Sequence, residues 1–244
     1  MALTDNLVAY WRLDEASGTR ADQIGGFTLT DNNTVGSATG NISALAGDFI
    51  KANTETLSTT AAGITGVPVS GVSWTITGWM RPESPIETEF GEVFGTHNFR
   101  GFMPKRKGLT AFGNSQILWS VINDAGTTFS IEPVANTPIN SWHYISLTFN
   151  HSTGQMRART NATYSSNVAF SGTITASAGF RIGCRWQIFS TVLFDGQIGH
   201  VGLWSRALSD AEQDQLYNSG AGLDPTASTG SALPLFAAQM MAMR

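Results

Sequence analysis

The stretch Val72-Ser73-Trp74-Thr75-Ile76-Thr77-Gly78-Trp79-Met80 decides how the rest of the chain is read. Val72, Trp74, Ile76 and Met80 fall on one side of an extended backbone, and Ser73, Thr75, Thr77 and Trp79 on the other. Side chains alternate faces with a period of two in a strand, so the segment predicts a strand with one apolar side. The same period continues outward in both directions. Leu7 to Leu13 puts Leu7, Ala9, Trp11 and Leu13 on one face, and Trp142 to Asn150 sets His143, Ile145, Leu147 and Phe149 against Trp142, Tyr144, Ser146 and Thr148. Shorter runs at 92–95, 116–122, 154–160, 180–183 and 196–204 are separated by Gly, Asn, Asp and Ser, the residues that tight turns require. Many short strands at this spacing predict a sandwich or barrel.

Composition agrees. The chain has 244 residues, a normal size for one large all-β domain, and only 13% of them are charged. A hydrophobic fraction of 41% with 7 Trp and 14 Phe supplies a real core, since each buried aromatic removes roughly 150–250 Å² from water. The net charge of −4 argues against nucleic acid, whose binders carry a basic surplus to neutralise phosphates. A single cysteine, Cys184, excludes an internal disulfide and a cysteine-built zinc site, and is expected as a small buried side chain. The N-terminal residues Met1-Ala2-Leu3-Thr4-Asp5-Asn6 have no basic region followed by an apolar run, and the sequence holds nothing near 18 consecutive apolar residues. Synthesis in the cytoplasm without a signal peptide, and no membrane insertion, are the expectations.

One helix is signalled strongly. Ser209-Asp210-Ala211-Glu212 is a capping box, and Asn218-Ser219-Gly220 a stop. The reading is therefore one domain over 1–223, followed at 224–244 by a linker and an apolar, Met-rich tail in which Leu235, Phe236, Met240, Met241 and Met243 are the candidate partner-docking residues.

With these elements placed, the chain resembles laminin-G-like, concanavalin A-like jelly rolls of the kind found in bacterial and phage surface or virion proteins. The resemblance covers roughly 7–221. It is carried by Leu7 to Thr19, by Trp74 to Pro82, by Trp142 to Phe149, and most specifically by Phe194-Asp195-Gly196-Gln197-Ile198-Gly199-His200-Val201-Gly202-Leu203-Trp204-Ser205-Arg206-Ala207-Leu208-Ser209 with the capped helix behind it. It implies an all-β, two-sheet antiparallel jelly-roll sandwich with one short C-terminal helix and an apolar tail. Members often bind glycans, and many hold calcium near the closing motif. Here Gly199-His200 stands where an acidic pair is expected, leaving Asp195 and Asp14 as candidate calcium ligands, with Glu15 and Asp22 nearby in the opening loop. Turn and cap roles for these carboxylates are the alternative. No cofactor is required by any motif.

For function, Trp79, Trp142 and Tyr144 share the Ser/Thr-bearing side of their strands, where rings can stack on a sugar and hydroxyls can bond it; the same rings could equally complete a core. Glu87, Glu89 and Glu92 have the spacing of carboxylates along one strand, which a retaining glycoside hydrolase would need about 5–5.5 Å apart; solvated loop charges are the favoured reading. Lys105-Arg106-Lys107 is expected to cap a hairpin tip. Together these features lead to a non-enzymatic structural and binding module, a phage virion component such as a capsid decoration or tail protein, displayed on a virion or other particle surface. Its partners would be neighbouring subunits and a cell-surface glycan. A stand-alone lectin is the first alternative and an endoglucanase-like hydrolase the second.

Overall fold

The computed structural model describes residues 1–227 except 60–63, 65–68, 70, 85–90, 97–100, 109–114, 176–178 and 185–191. Glu87, Glu89 and the tail residues Leu235, Phe236, Met240, Met241 and Met243 lie outside the described residues. The strands are β1 (Leu7–Trp11), β2 (Leu29–Asn32), β3 (Gly36–Thr39), β4 (Leu45–Phe49), β5 (Thr56–Thr59), β6 (Trp74–Pro82), β7 (Phe94–Thr96) and β8 (Gly101–Gly108). They continue with β9 (Ser115–Ile122), β10 (Thr128–Ile131), β11 (His143–Asn150), β12 (Gln155–Thr160), β13 (Thr163–Tyr164), β14 (Val168–Ala169), β15 (Phe180–Ile182) and β16 (Gly196–Trp204). Helix α1 spans Asp210–Tyr217.

Among the described residues the pairings between these strands are all antiparallel, in two layers. The first layer runs β13-β12-β11-β6-β16-β4-β3, with β1 also paired to β16 and β14 to β12. The second consists of β2-β5-β15-β7 and β10-β9-β8, linked where the Val93 amide donates to the Pro104 carbonyl at 3.1 Å. Proline has no amide to give a ladder, and Pro104 stands at this seam. The Lys105-Arg106-Lys107 run does not cap a tip: it lies within β8, with Lys105 opposite Leu118 and Lys107 opposite Gln116.

The alternation read from the sequence is what closes the sandwich. Trp74, Ile76 and Met80 of β6 join Ile145, Leu147 and Phe149 of β11 and Ile198, Val201 and Leu203 of β16 in the main core, against Leu57, Phe94, Trp119, Phe180 and Ile182 of the second layer. Val72 instead lies outside the strand, 40% exposed. A chain of rings crosses the layers: Trp11 stacks on Phe180 at 5.3 Å, and Phe94 lies 6.0 Å from both Phe180 and Trp119. Gly78 sits under Phe94, where an added Cβ would come within 2.8 Å of the ring. The absence of a side chain there lets the layers approach.

The outer face of the first layer carries a second, smaller cluster. Leu7, Tyr10, Trp79, Tyr144, Trp204, Leu208 and Leu216 are buried together, with Trp142 and Tyr217 packed at the margin. Helix α1 is what covers them. Its start is the capping box read from the sequence: Ser209 Oγ accepts from the Glu212 amide and Glu212 accepts from the Ser209 amide at 2.9 Å. Arg206 grips the same carboxylate from both guanidinium ends, at 2.8 and 2.9 Å, and its hydrogen bonds hold Glu212 down at about 2. At the other end Asn218 adopts a left-handed conformation, φ 46°, which asparagine tolerates.

β16 is not regular. Gly199 faces Trp79 and Gly202 faces Thr77, so three steps along β16 match two along β6 and one residue is extra. This is a bulge, and His200 occupies it at φ 52°, a conformation uncommon for a residue with a Cβ. The ring is held from both sides: Tyr10 Oη bonds Nδ1 at 2.8 Å and Ser43 Oγ bonds Nε2 at 3.0 Å. Asp224, which ion-pairs with Arg12 at 2.7 Å, and Thr226, which accepts from Arg12 at 3.1 Å, fasten the chain beyond the helix near the same place. The segment read as the start of a linker at 224 is therefore fixed to the domain as far as Thr226, because Arg12 offers a charge partner that composition alone does not reveal.

Two outcomes follow from these packings. Gly78→Ala is expected to lower stability by about 1–3 kcal/mol by overpacking, read as an earlier urea midpoint; an unchanged midpoint would place Phe94 elsewhere. Burial pushes the His200 imidazole down to about 4, against the pull of Asp224 and Asp14 and with a smaller push from Arg12. The unfolded chain protonates this ring near pH 6.5, so between that value and 4 the unfolded state binds the extra proton and stability falls as pH drops. The loss by pH 4 is about 3 kcal/mol. His200→Asn, which suits the left-handed backbone, should flatten this dependence between pH 6.5 and 4.

Candidate functional site on the outer face of the first layer

The outer face of the first layer is built in rows that cross the strands. One row is Tyr144, Trp79 and Gly199, paired directly in register. Tyr144 is 1% and Trp79 3% exposed, so neither is a platform for a sugar. The physical reason is the helix: Tyr217 stacks on Trp79 at 6.1 Å and meets Tyr144 at 6.0 Å, and an added Cβ at Gly222 would come within 3.3 Å of Trp79. These two rings belong to the outer cluster, the core role left open by the sequence. Arg159 completes the lid, 2.8 Å from Asp214 and 5.0, 4.8 and 5.5 Å from the Tyr217, Tyr164 and Tyr144 rings.

Two residues along, the next row emerges from under the helix. Arg81, Gln197 and Asp48 face one another on β6, β16 and β4. Trp142, the residue before the His143–Met80 pair, extends the row on the β11 side and is half-buried. Three inter-strand spacings make the row roughly 14 Å long. Its polar groups are fixed by one another. Gln197, 2% exposed, donates from Nε2 to Asp48 Oδ1 and to Glu83 Oε1, both at 2.8 Å, and accepts from Arg81 at 2.5 Å. Arg81 also bonds Glu83 at 2.6 Å and reaches Asn140 Oδ1 at 3.4 Å, while the Asn140 amide donates to the Pro82 carbonyl at 2.7 Å.

Such an array holds planar donors and acceptors in place before a ligand arrives, so little rotamer entropy remains to be lost on binding. Amide and carboxylate edges with a guanidinium match the paired donor and acceptor character of sugar hydroxyls, and the flank is an indole. Of the three aromatics singled out in the sequence, Trp142 alone reaches such a surface. Arg81 was findable, since it lies two residues from Trp79, which the period of two assigns to this face; Gln197 was not, because the 196–204 run carried no face assignment. Asp48 was not, because Leu45–Phe49 carries two small residues and shows no alternation.

The candidate calcium ligands are not gathered. Asp195 accepts from the Lys51 amide at 3.1 Å and from the Ser84 hydroxyl, and its carbonyl accepts from the Glu83 amide at 3.0 Å; it knots three loops behind the row. Asp14 lies in the opposite direction along β16, near His200. Asp22 accepts from four backbone amides, those of Tyr10, Ile24, Gly25 and Phe27, the turn role named as its alternative. Glu15 accepts from the Ala21 amide at 2.7 Å. Among the described residues no group of three or more His, Cys, Asp or Glu side chains suits a metal ion. Glu92 is 2% exposed, with its amide donating to the Val192 carbonyl. Cys184 is buried.

A family model described as the concanavalin A-like lectin/glucanases superfamily matches residues 54–212. The chain belongs to that superfamily. No curated protein sequence matches it. In three dimensions this superfamily member is similar to the binding domain of Paraclostridial Mosquitocidal Protein 1, with a TM-score of 0.71 at 15% identity over 89% of this chain and 53% of that one. It is similar also to the binding domain of botulinum neurotoxin serotype G, with a TM-score of 0.66 at 16% identity over 87% and 50%. It spans about half the length of these two toxin chains. A third similar structure is domain 4 of AbnA, a GH43 extracellular arabinanase from Geobacillus stearothermophilus, in complex with arabinotriose (TM-score 0.63, 16% identity, 89% of this chain and 98% of that one). At these identities the likeness shows the fold: a lectin-like, antiparallel jelly roll.

Proposed function

We propose that the protein is a non-catalytic carbohydrate-binding module whose ligand lies along the row Trp142, Arg81, Gln197 and Asp48. The observation that carries this reading is the fixed hydrogen-bond array around Gln197, set beside a half-exposed indole at one open end of a face whose middle is covered by a helix. The length of the row favours an oligosaccharide over a single ring. That a similar domain is seen with arabinotriose supports the ligand class. Against a hydrolase stands Glu92, which is buried and bonded through its backbone to a neighbouring segment.

Display on a virion or other particle belongs to the same proposal and rests on the sequence of 235–243, whose apolar, Met-rich character suits adaptable docking to a neighbouring subunit. Because Asp224 and Thr226 are bonded to Arg12, the natural point of truncation is after Ala227. The shortened chain should keep its melting temperature and lose its place on the particle; retention there would remove the anchoring role.

A glycan array followed by titration tests the binding claim. Trp142→Ala and Arg81→Ala should each weaken the best ligand about tenfold or more, equivalent to 1.4 kcal/mol, with the far-ultraviolet circular dichroism unchanged. Full affinity in both variants would move the site off this row.

A further inference from the structure

A separate hollow opens on the same face at the other end of helix α1. It has a volume of about 250 Å³ and is formed where the β11–β12 hairpin meets the first turn of the helix and the closing turn before it. Two alternate rungs of the hairpin, on one face, supply one wall: Thr148 pairs with Arg157, and Asn150 with Gln155. These positions share the outer face with Ser146 and Arg159. Asp210 and Asn167 complete the rim, and Ala207 and Leu208 contribute an apolar patch.

The chemistry of the lining narrows the ligand. Arg157 and Asp210 neutralise each other, with one guanidinium nitrogen 2.9 and 3.2 Å from the two carboxylate oxygens. Arg157 is further fixed by lying 4.1 Å above the Tyr164 ring. The remaining polar groups are amides and hydroxyls, each able to donate and accept. A hollow without net charge does not select phosphate, sulfate or a metal cation. Its size falls below the roughly 300–1,000 Å³ of pockets for drug-sized ligands, while holding several times the roughly 30 Å³ share of one water. An apolar patch facing a hydroxyl-matching wall fits a molecule with one C–H face and a ring of hydroxyl groups.

We infer that this hollow is a second sugar site, sized for a single pyranose ring, so that the module binds glycans at two separate points on one face. The inference rests on the reading of the chain as a carbohydrate-binding module but not on the Trp142 row. The two sites lie at opposite ends of the helix, one beyond each margin of its covered cluster. A branched or repeating glycan could then be held at both, with a gain in avidity set by the fixed spacing between them.

The test is a titration of the full chain, labelled with nitrogen-15, with the methyl glycosides of glucose, mannose, galactose and N-acetylglucosamine, and with sorbitol as the acyclic control. The side-chain amides of Asn150, Gln155 and Asn167 report the hollow, and those of Gln197 and Asn140 the row. One glycoside is expected to shift the first group saturably. The shifts should persist in Trp142→Ala and weaken at least tenfold in Gln155→Ala and Arg157→Ala, while sorbitol leaves them in place. Shifts confined to Gln197 and Asn140 would overturn the second site and leave the first. Shifts of Asn150, Gln155 and Asn167 that vanish in Trp142→Ala would show them to be transmitted and would also overturn it. No shift of Asn150, Gln155 or Asn167 with any of the four glycosides would overturn the second site and leave the row, which the oligosaccharides of the glycan array test; an equal response to sorbitol would overturn the assignment to a sugar ring.

Discussion

The docking of helix α1 onto the outer face of the first layer is the constraint on which the surface of this protein depends. The helix is short, and eight residues are marginal on their own; it persists because both ends are capped and because the sheet holds it. Gln213, 4% exposed, accepts from Ser146 at 2.5 Å and donates to Thr148 at 3.3 Å, so a buried amide is satisfied by two strand hydroxyls. The turn before the helix is fixed in the same manner, since Thr75 donates to the Arg206 carbonyl at 3.0 Å and accepts from the Leu208 amide at 2.9 Å. Hydroxyls that look like a ligand-binding stripe in the sequence are in fact the seat of the helix. What the helix leaves uncovered at its two ends is what remains for binding.

The same economy appears at the chain's points of strain. His200 spends backbone strain to place one extra residue in β16, and the bulge turns its ring toward Tyr10 and Ser43. Near it the Arg12–Asp224 pair holds the residues after the helix. Buried polar groups of this kind cost free energy unless each is bonded. Here they tie the opening strand, the loop before β4, the bulge and the chain beyond the helix into one unit. Arg20 does similar work at the opening loop: fully buried, it donates to the carbonyls of Gly18, Val35 and Gly36.

Much of the fold was legible because its central strands have two different sides. Trp74 to Met80 and His143 to Asn150 alternate, and the structure places them side by side in the first layer. Ser209 and Glu212 announce the helix because capping is a local interaction between residues three apart. The edges, and the seam of the second layer, were harder. Gly36–Thr39 and Leu29–Asn32 are short and largely polar, and Gly101–Gly108 carries a proline and three consecutive cations; their pairing comes from neighbours and not from their own pattern. The site was half legible for a related reason. Period two assigns Trp79, Trp142 and Tyr144 to one face correctly, but it cannot tell which part of a face a distant helix will cover.

A crystal of the protein grown with its best glycan ligand tests the central claim most directly, because it locates the sugar independently of any substitution. The account predicts sugar density against the Trp142 indole, with hydroxyls bonded to Arg81, Asn140, Glu83 or Asp48 and helix α1 still in place over Trp79 and Tyr144. Density on the outer face of the second layer, or a displaced helix with the ligand stacked on Trp79, would contradict it.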